Sequence, residues 1–364
     1  MAADPGSLPI AVAATGLVTA VGLDTATSCA AIRAGLTRAA PVAGCDVLDP
    51  DSQTMVPAIG HAVWGLTAGA APPARWLTLA THALADLCRR ADLPPFSDAE
   101  FWQATALLIV GPPLDDERFF HCKPCQSEAI QESYVQPLLR SLGRPFLQEY
   151  VHTIFAGRTG AARAIRAAGE LLAEPAIARV IVVAADSLLD GYSLAWFQQY
   201  RRLKAAEQPT GLMPGEAGAA LMLLRSGARC TIVASFDDEE DGEPLADGRQ
   251  HGRALARVWG SALRAIDSRQ AFSGDLIVDL NGESWRAYEF GTAMSQLETV
   301  RLGNCRTVMP AQAIGDIGAA SALTGVVLAF TAFERRYAAA DTAVVLSASS
   351  SGRVGAITLR HEAH

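Results

Sequence analysis

The sequence predicts an α/β fold built from two similar halves. Three observations carry this. Continuous apolar runs, each closed by a small or turn-forming residue, alternate with Ala/Leu-rich stretches of helical period, the pattern of strands covered by helices on both faces. The alternation runs from residue 10 to 224 and restarts in the same order from 231 to 359, although the two halves share no obvious sequence. Between them in importance lies VHTIFAGRTGAARAIRAA, 151–168, which reads as a strand end, a tight turn of small residues and an Ala-rich helix. Such a turn lifts one side chain above a sheet and aims a helix N-terminus at it, the geometry of a nucleophile elbow. The apex here is Gly157, which has no side chain to present; one residue of register either way gives Ala156 or Arg158.

Taken in order, 10–22 is a strand entering a glycine-punctuated turn, and Asp24 is placed to cap a helix over 26–34. A long helix follows over 74–91, bracketed by Pro72-Pro73 and Pro94-Pro95. A buried strand, 104–110, ends at Gly111-Pro112-Pro113, and 117–142 is expected to lay helices over the sheet. After the elbow helix, 160–172, come RVIVVAA (179–185), read as a central strand, and GEAGAALMLL (215–224), with 231–236 expected as its neighbour. The second series has helices at 252–266, 285–297 and 318–337 and strands at 275–280, 305–308, 342–347 and 354–359. The expectation is a largely parallel sheet system divided into halves 1–230 and 231–364.

Composition narrows the function classes. The chain has 364 residues, 50% hydrophobic and 19% charged, with a net charge of -8, which suits a globular protein with a large core. No basic cluster tracks phosphates, so nucleic acid is excluded as an expected partner. The acidic run 237–241 reads as a solvated loop. No secretory leader and no apolar run of about 20 residues is visible, so neither membrane insertion nor export is expected, and the cytoplasm is the expected location. Seven scattered cysteines fit a reducing compartment. Cys122 and Cys125 make one C-x-x-C pair beside His121, but a zinc site needs about four ligands, so the pair reads as incidental. Neither a metal nor another cofactor is expected.

Several segments, in this order, resemble the β-ketoacyl synthases of the thiolase fold. Leu212–Leu224 (LMPGEAGAALMLL) resembles that family's GEG-type strand, with Gly215 and Glu216 in place, and Ala184-Ala185-Asp186-Ser187 the strand end before it. Residues 245–266 resemble the segment leading into the second half, Gly282 falls at the HGT loop, 314–320 resembles the IGH stretch, and 346–356 lies over the glycine-rich terminal loop. The resemblance covers nearly the whole chain and implies a layered α-β-α-β-α sandwich of two βαβαβ-type halves. It also implies chemistry by one cysteine and two histidines, in which a thiolate takes up an acyl chain and two imidazoles promote condensation. Here the cysteine position carries Gly157, and the histidine positions carry Asn281 and Asp316. The lysine position carries Ala311 or Gln312, and the phenylalanine gate has become 348–352 (ASSSG). Independently of any alignment, no histidine lies between His251 and His361.

Each residue also has a plainer reading. Asn281 before Gly282 is a good turn pair, Asp316 a cap or turn residue, and Glu216 a buried structural carboxylate. Arg158 either binds an anion at a helix N-terminus or fills the volume of a lost acyl site. Trp285 and Tyr288 read as core or dimer contacts, and Ser349, Ser350 and Ser351 are hydroxyls without a base. The resemblance thus implies a catalytically inactive ketosynthase-like binding or accessory protein, of the kind found beside effectors of type VI secretion. Its expected partners are a homodimeric or heterodimeric mate, a secreted protein client or an acyl carrier protein. Two alternatives are a chain-length-factor-like partner of an active synthase, and a condensing enzyme with a relocated nucleophile, at Cys122, Cys125 or Cys305.

Overall fold

The computed structural model describes residues 9–49, 51–143, 145–206, 208–240, 252–266, 271–297 and 302–362. The strands are β1 (Ile10–Thr19), β2 (Ala40–Asp49), β3 (Thr54–Gly60), β4 (Thr105–Val110), β5 (Val151–Ile154), β6 (Arg179–Ser187), β7 (Glu216–Leu224), β8 (Cys230–Glu239), β9 (Asp275–Val278), β10 (Arg306–Val308), β11 (Thr342–Ala348) and β12 (Arg353–His361). The helices are α1 (Thr25–Arg33), α2 (Pro72–Arg90), α3 (Ala99–Gln103), α4 (Gln136–Ser141), α5 (Gly160–Ala173), α6 (Gly191–Gln199), α7 (Arg253–Ala265), α8 (Ser284–Ser295), α9 (Ala311–Ile314) and α10 (Ser321–Glu334).

Ten strands are joined in the order β10-β9-β11-β12-β8-β1-β7-β6-β4-β5, and β2 and β3 form a separate hairpin. The order contains a repeat. Numbered within each half, β1, β4, β5, β6 and β7 run 1-5-4-2-3, and β8, β9, β10, β11 and β12 run 1-5-4-2-3 again. Directions repeat too: β1/β7 and β7/β6 are antiparallel, as are β8/β12 and β12/β11, whereas β6/β4/β5 and β11/β9/β10 are parallel. The sheets are therefore mixed and not largely parallel, because the last strand of each half returns antiparallel between the first and fourth, after α6 in the first half and through a short turn in the second. The neighbours of β7 are β6 and β1 and not β8, which begins the second half and meets β1 over three residue pairs.

Helices α5 and α10 lie between the two sheets and contact strands of both. Strand β6 shows why its sequence is continuously apolar. Val180, Val182 and Ala184 face this central layer, and Ile181, Val183 and Ala185 face the outer core under α2. Helices α7 and α8 cover the outer face of the second half. The result is the five-layered α-β-α-β-α sandwich of the thiolase-like fold. Helix α2 approaches its sheet at glycines: a Cβ on Gly16 would lie 2.0 Å from the Ala83 carbonyl oxygen, and one on Gly218 2.2 Å from that of Leu79.

Other local expectations shift. Asp24 caps α1 by accepting from the Thr27 N–H. The stretch 117–142 breaks into 3-10 turns, a π turn at Gln131–Val135 and the short α4. The helix expected over 318–337 opens with a 3-10 turn, Gly318–Ala320, and ends at Glu334. Residues 237–239 of the acidic run belong to β8 and not to a loop: Asp237 accepts from Arg163 and Arg166, Asp238 pairs with Arg257, and Glu240 caps α7 through the Gly252 and Ala254 N–H groups. Asp241, His251 and the expected motif segment 245–251 lie outside the described residues.

Candidate functional site

The elbow forms as its small residues demand. The chain leaves β5 and turns through a 3-10 turn, Gly157–Thr159, directly into α5. Gly157 has φ +60°, a left-handed conformation that costs other residues about 1–2 kcal/mol. A Cβ there would stand 3.0 Å from Pro113 Cδ. The geometry that would hoist a nucleophile is present, and the hoisted group is a hydrogen atom.

The next residue fills the space. Arg158 Nη2 donates to Asp316 Oδ2 in a close pair, and Nη1 reaches Asp279 Oδ2 at 3.3 Å and Ser321 Oγ at 3.4 Å. A guanidinium at a helix N-terminus opposes the helix dipole, so these two carboxylates are what hold it there. Burial alone would lower the Arg158 pKa; Asp316 and Asp279 more than reverse this. Asp316 is 2% exposed and lies on the loop between α9 and α10. Burial pushes its pKa up, but Arg158, Asn281 and the Gly318 N–H hold it below the usual carboxylate value.

Asn281 completes the centre. Its Nδ2 donates to Asp316 Oδ2 at 2.7 Å and to Glu283 Oε2 at 2.9 Å, while its Oδ1 accepts from the Glu283 N–H at 3.1 Å. Gly282 beside it has φ +101°, so the Asn-Gly turn and the site contact coexist. Glu283 is clamped by Arg202 through two bonds, 2.7 and 2.8 Å, and Asp279 by Arg286 in a close pair. Arg286 also donates to Glu289 Oε2 at 2.5 Å. Three guanidiniums and four carboxylates therefore run unbroken through the point where the two halves meet. The cavity left here, lined by Arg158, Asp279, Gly315, Asp316 and Ile317, measures about 20 Å³. That admits about one water molecule and no acyl chain.

The predicted residues thus divide. Gly157, Arg158, Asn281, Gly282 and Asp316 come together. Glu216 stands apart in a buried knot, accepting from Val63 N–H, Thr67, Arg75 and Ser187. Cys122 and Cys125 lie in the outer core under α2. Tyr288 is not a core residue but 61% exposed. Ser349 bonds Ser351 and the Arg353 carbonyl, with no base among its recorded partners. Sequence reading missed Asp279, Glu283, Arg202 and Arg286. Only the spacing D-x-N-x-E at 279–283, every second side chain polar where a strand runs out, hints at them. It also missed His61, buried beside Gly315, whose Nε2 has no hydrogen-bond partner among the described residues and whose pKa burial lowers.

Cys230 faces His361 across β8 and β12 and shares an open cleft with it. Burial pushes the Cys230 thiol up to about 12, and no hydrogen bond joins the pair, so the thiol stays protonated at neutral pH. Cys29 and Cys88 are both pushed up to about 11 by burial.

No protein-family model matches the chain, and no curated protein sequence matches it. Solved structures do match. The complex of the type II polyketide acyl carrier protein AntF with its ketosynthase AntDE, bound to the hexaketide, gives a TM-score of 0.77 at 14% identity, covering 98% of this chain and 100% of that one. The ishigamide ketosynthase/chain length factor gives 0.69 at 17% identity over 98% and 100%. The ketosynthase ApeO in complex with its chain length factor ApeC, from Xenorhabdus doucetiae, gives 0.69 at 14% identity over 100% of both chains. The chain has the thiolase-like fold of ketosynthases.

Proposed function

We propose that this chain is a non-catalytic, chain-length-factor-like partner of an active ketosynthase. One observation carries the reading: at the elbow the nucleophile position is Gly157, and the adjoining Arg158 is locked by Asp316 and Asp279 where a substrate would sit. The fold neighbours support it, since they are ketosynthases assembled with a chain length factor or an acyl carrier protein.

The mating edge in this reading is β5. It ends the ten-stranded sheet, pairs among the described residues only with β4, and is flanked by the exposed Leu147 and the half-buried Phe155. An unpaired strand edge of this kind is a template for a second chain. The other end strand, β10, has three residues, and its Arg306 is occupied by Asp275. An accessory role toward a secreted effector, as in type VI secretion, uses the same inert scaffold with a different client. Co-expression with an active ketosynthase, followed by size exclusion with light scattering, tests the proposal. A one-to-one complex lost on His152→Glu supports it; a chain that ignores ketosynthases and elutes with an effector instead replaces it.

A further inference from the structure

The C-x-x-C pair was left unexplained by the site. Cys122 and Cys125 sit at either end of a single 3-10 turn, Lys123–Cys125, closed by the bond from the Cys125 N–H to the Cys122 carbonyl at 2.9 Å. Their sulfurs are 3.0 Å apart, about 1 Å beyond a disulfide bond. Both cysteines are buried, at 1% and 0% exposure, but the turn is one layer thick: His121, Lys123 and Pro124 are all exposed. The turn lies in the loop that also carries Arg118, which spans from Ser193 on α6 to Asp186 at the end of β6.

We propose that Cys122 and Cys125 form a reversible intramolecular disulfide, a redox clip on the 111–135 loop, with a peroxide as the oxidant. The sulfur of Cys122, having lost its proton, attacks one peroxide oxygen; an S–O bond forms, the O–O bond breaks and water leaves after taking up a proton. The Cys125 sulfur then attacks the sulfenic sulfur; the S–S bond forms, the S–O bond breaks and a second water leaves with the Cys125 proton. Two thiols are oxidised by two electrons in all, and one hydrogen peroxide becomes two waters. The remaining five cysteines are the internal control: all are free, and Cys29 contacts Thr331 instead of another sulfur.

The test uses the chain alone, so it is independent of the ketosynthase-partner reading. The reduced protein is treated with equimolar hydrogen peroxide, unfolded, alkylated with iodoacetamide and analysed by non-reducing peptide mass spectrometry. The expected result is one peptide about 2 Da light across 122–125, five alkylated cysteines, and full reversal by dithiothreitol. In Cys125→Ser a dimedone-type reagent should trap sulfenic acid on Cys122, and in Cys122→Ser the mass loss should vanish. Cys122 and Cys125 both alkylated after oxidant, or bonded to other cysteines, would overturn the clip, and the wild-type measurement decides even where a variant does not fold.

Discussion

At the residue scale the centre is a set of charges that hold one another in place. Removing one member of a buried ion pair strands the others, at a typical cost of about 3–5 kcal/mol. Arg158→Met should therefore destabilise the chain by about that much in urea unfolding. Arg158→Met with Asp316→Asn should cost less than the sum of the two single changes, because the second removes the stranded charge. Equal, additive losses would mean that Arg158 and Asp316 are not energetically joined. The pH dependence has a definite sign. Because the Asp316 carboxyl is held below its ordinary value in the fold, it contributes stability above its unfolded pKa of about 3.9, and that contribution is lost as pH falls through the lower folded value. Asp316→Asn should flatten the acid limb of the stability curve. His61 acts at milder pH: burial lowers its pKa, so the unfolded chain takes up a proton first and stability falls as pH drops below about 6.5. His61→Gln should remove that component. At Gly157, alanine should cost about 1–2 kcal/mol from its positive φ, with the Pro113 contact adding to it.

At the element scale the tightest fit is α2 on β1 and β7. A Cβ at Gly218 would overlap the Leu79 backbone, so Gly218→Ala should cost about 1–3 kcal/mol, measured as a lower urea midpoint at unchanged m-value. Elements of this kind were the most legible in the sequence. Strands β4, β6, β7 and β11 are buried on both faces and appear as unbroken apolar runs, and α2, α5 and α7 carry their helical period plainly. What escaped has physical reasons. The β2–β3 hairpin is largely exposed, contains Pro41 and Pro57, and is bulged between Pro41 and Asp46, so no alternation of apolar residues marks it. Helix α6 is short and its exposed face carries Tyr192 and Tyr200, which hides its period. Strand direction is set by the antiparallel return of the last strand in each half, a long-range property that no local pattern carries. At the site, the spacing around Gly157 exposed the elbow, but the partners of Arg158 come from the second half, 121 and 158 positions away.

At the scale of the whole molecule, two halves of identical strand order enclose α5 and α10, and the charge network lies where they meet. The cavity at that junction measures about 20 Å³. Among the described residues no helix is long and apolar enough to cross a membrane, and no cluster of three or more metal-ligating side chains occurs. The free surface of interest is the β5 edge. His152→Glu puts a charge on this edge strand, where a second chain would pair. It should weaken association without altering the unfolding midpoint of the single chain, because His152 is exposed.

The central claim, that the elbow centre is chemically inert, is tested most directly by intact-mass spectrometry after incubation with an acyl thioester and with an acylated carrier protein. The wild-type chain should keep its mass, and so should Gly157→Cys, whose added side chain would meet Pro113. A stoichiometric acyl adduct on the wild-type chain, at any residue, would contradict the account.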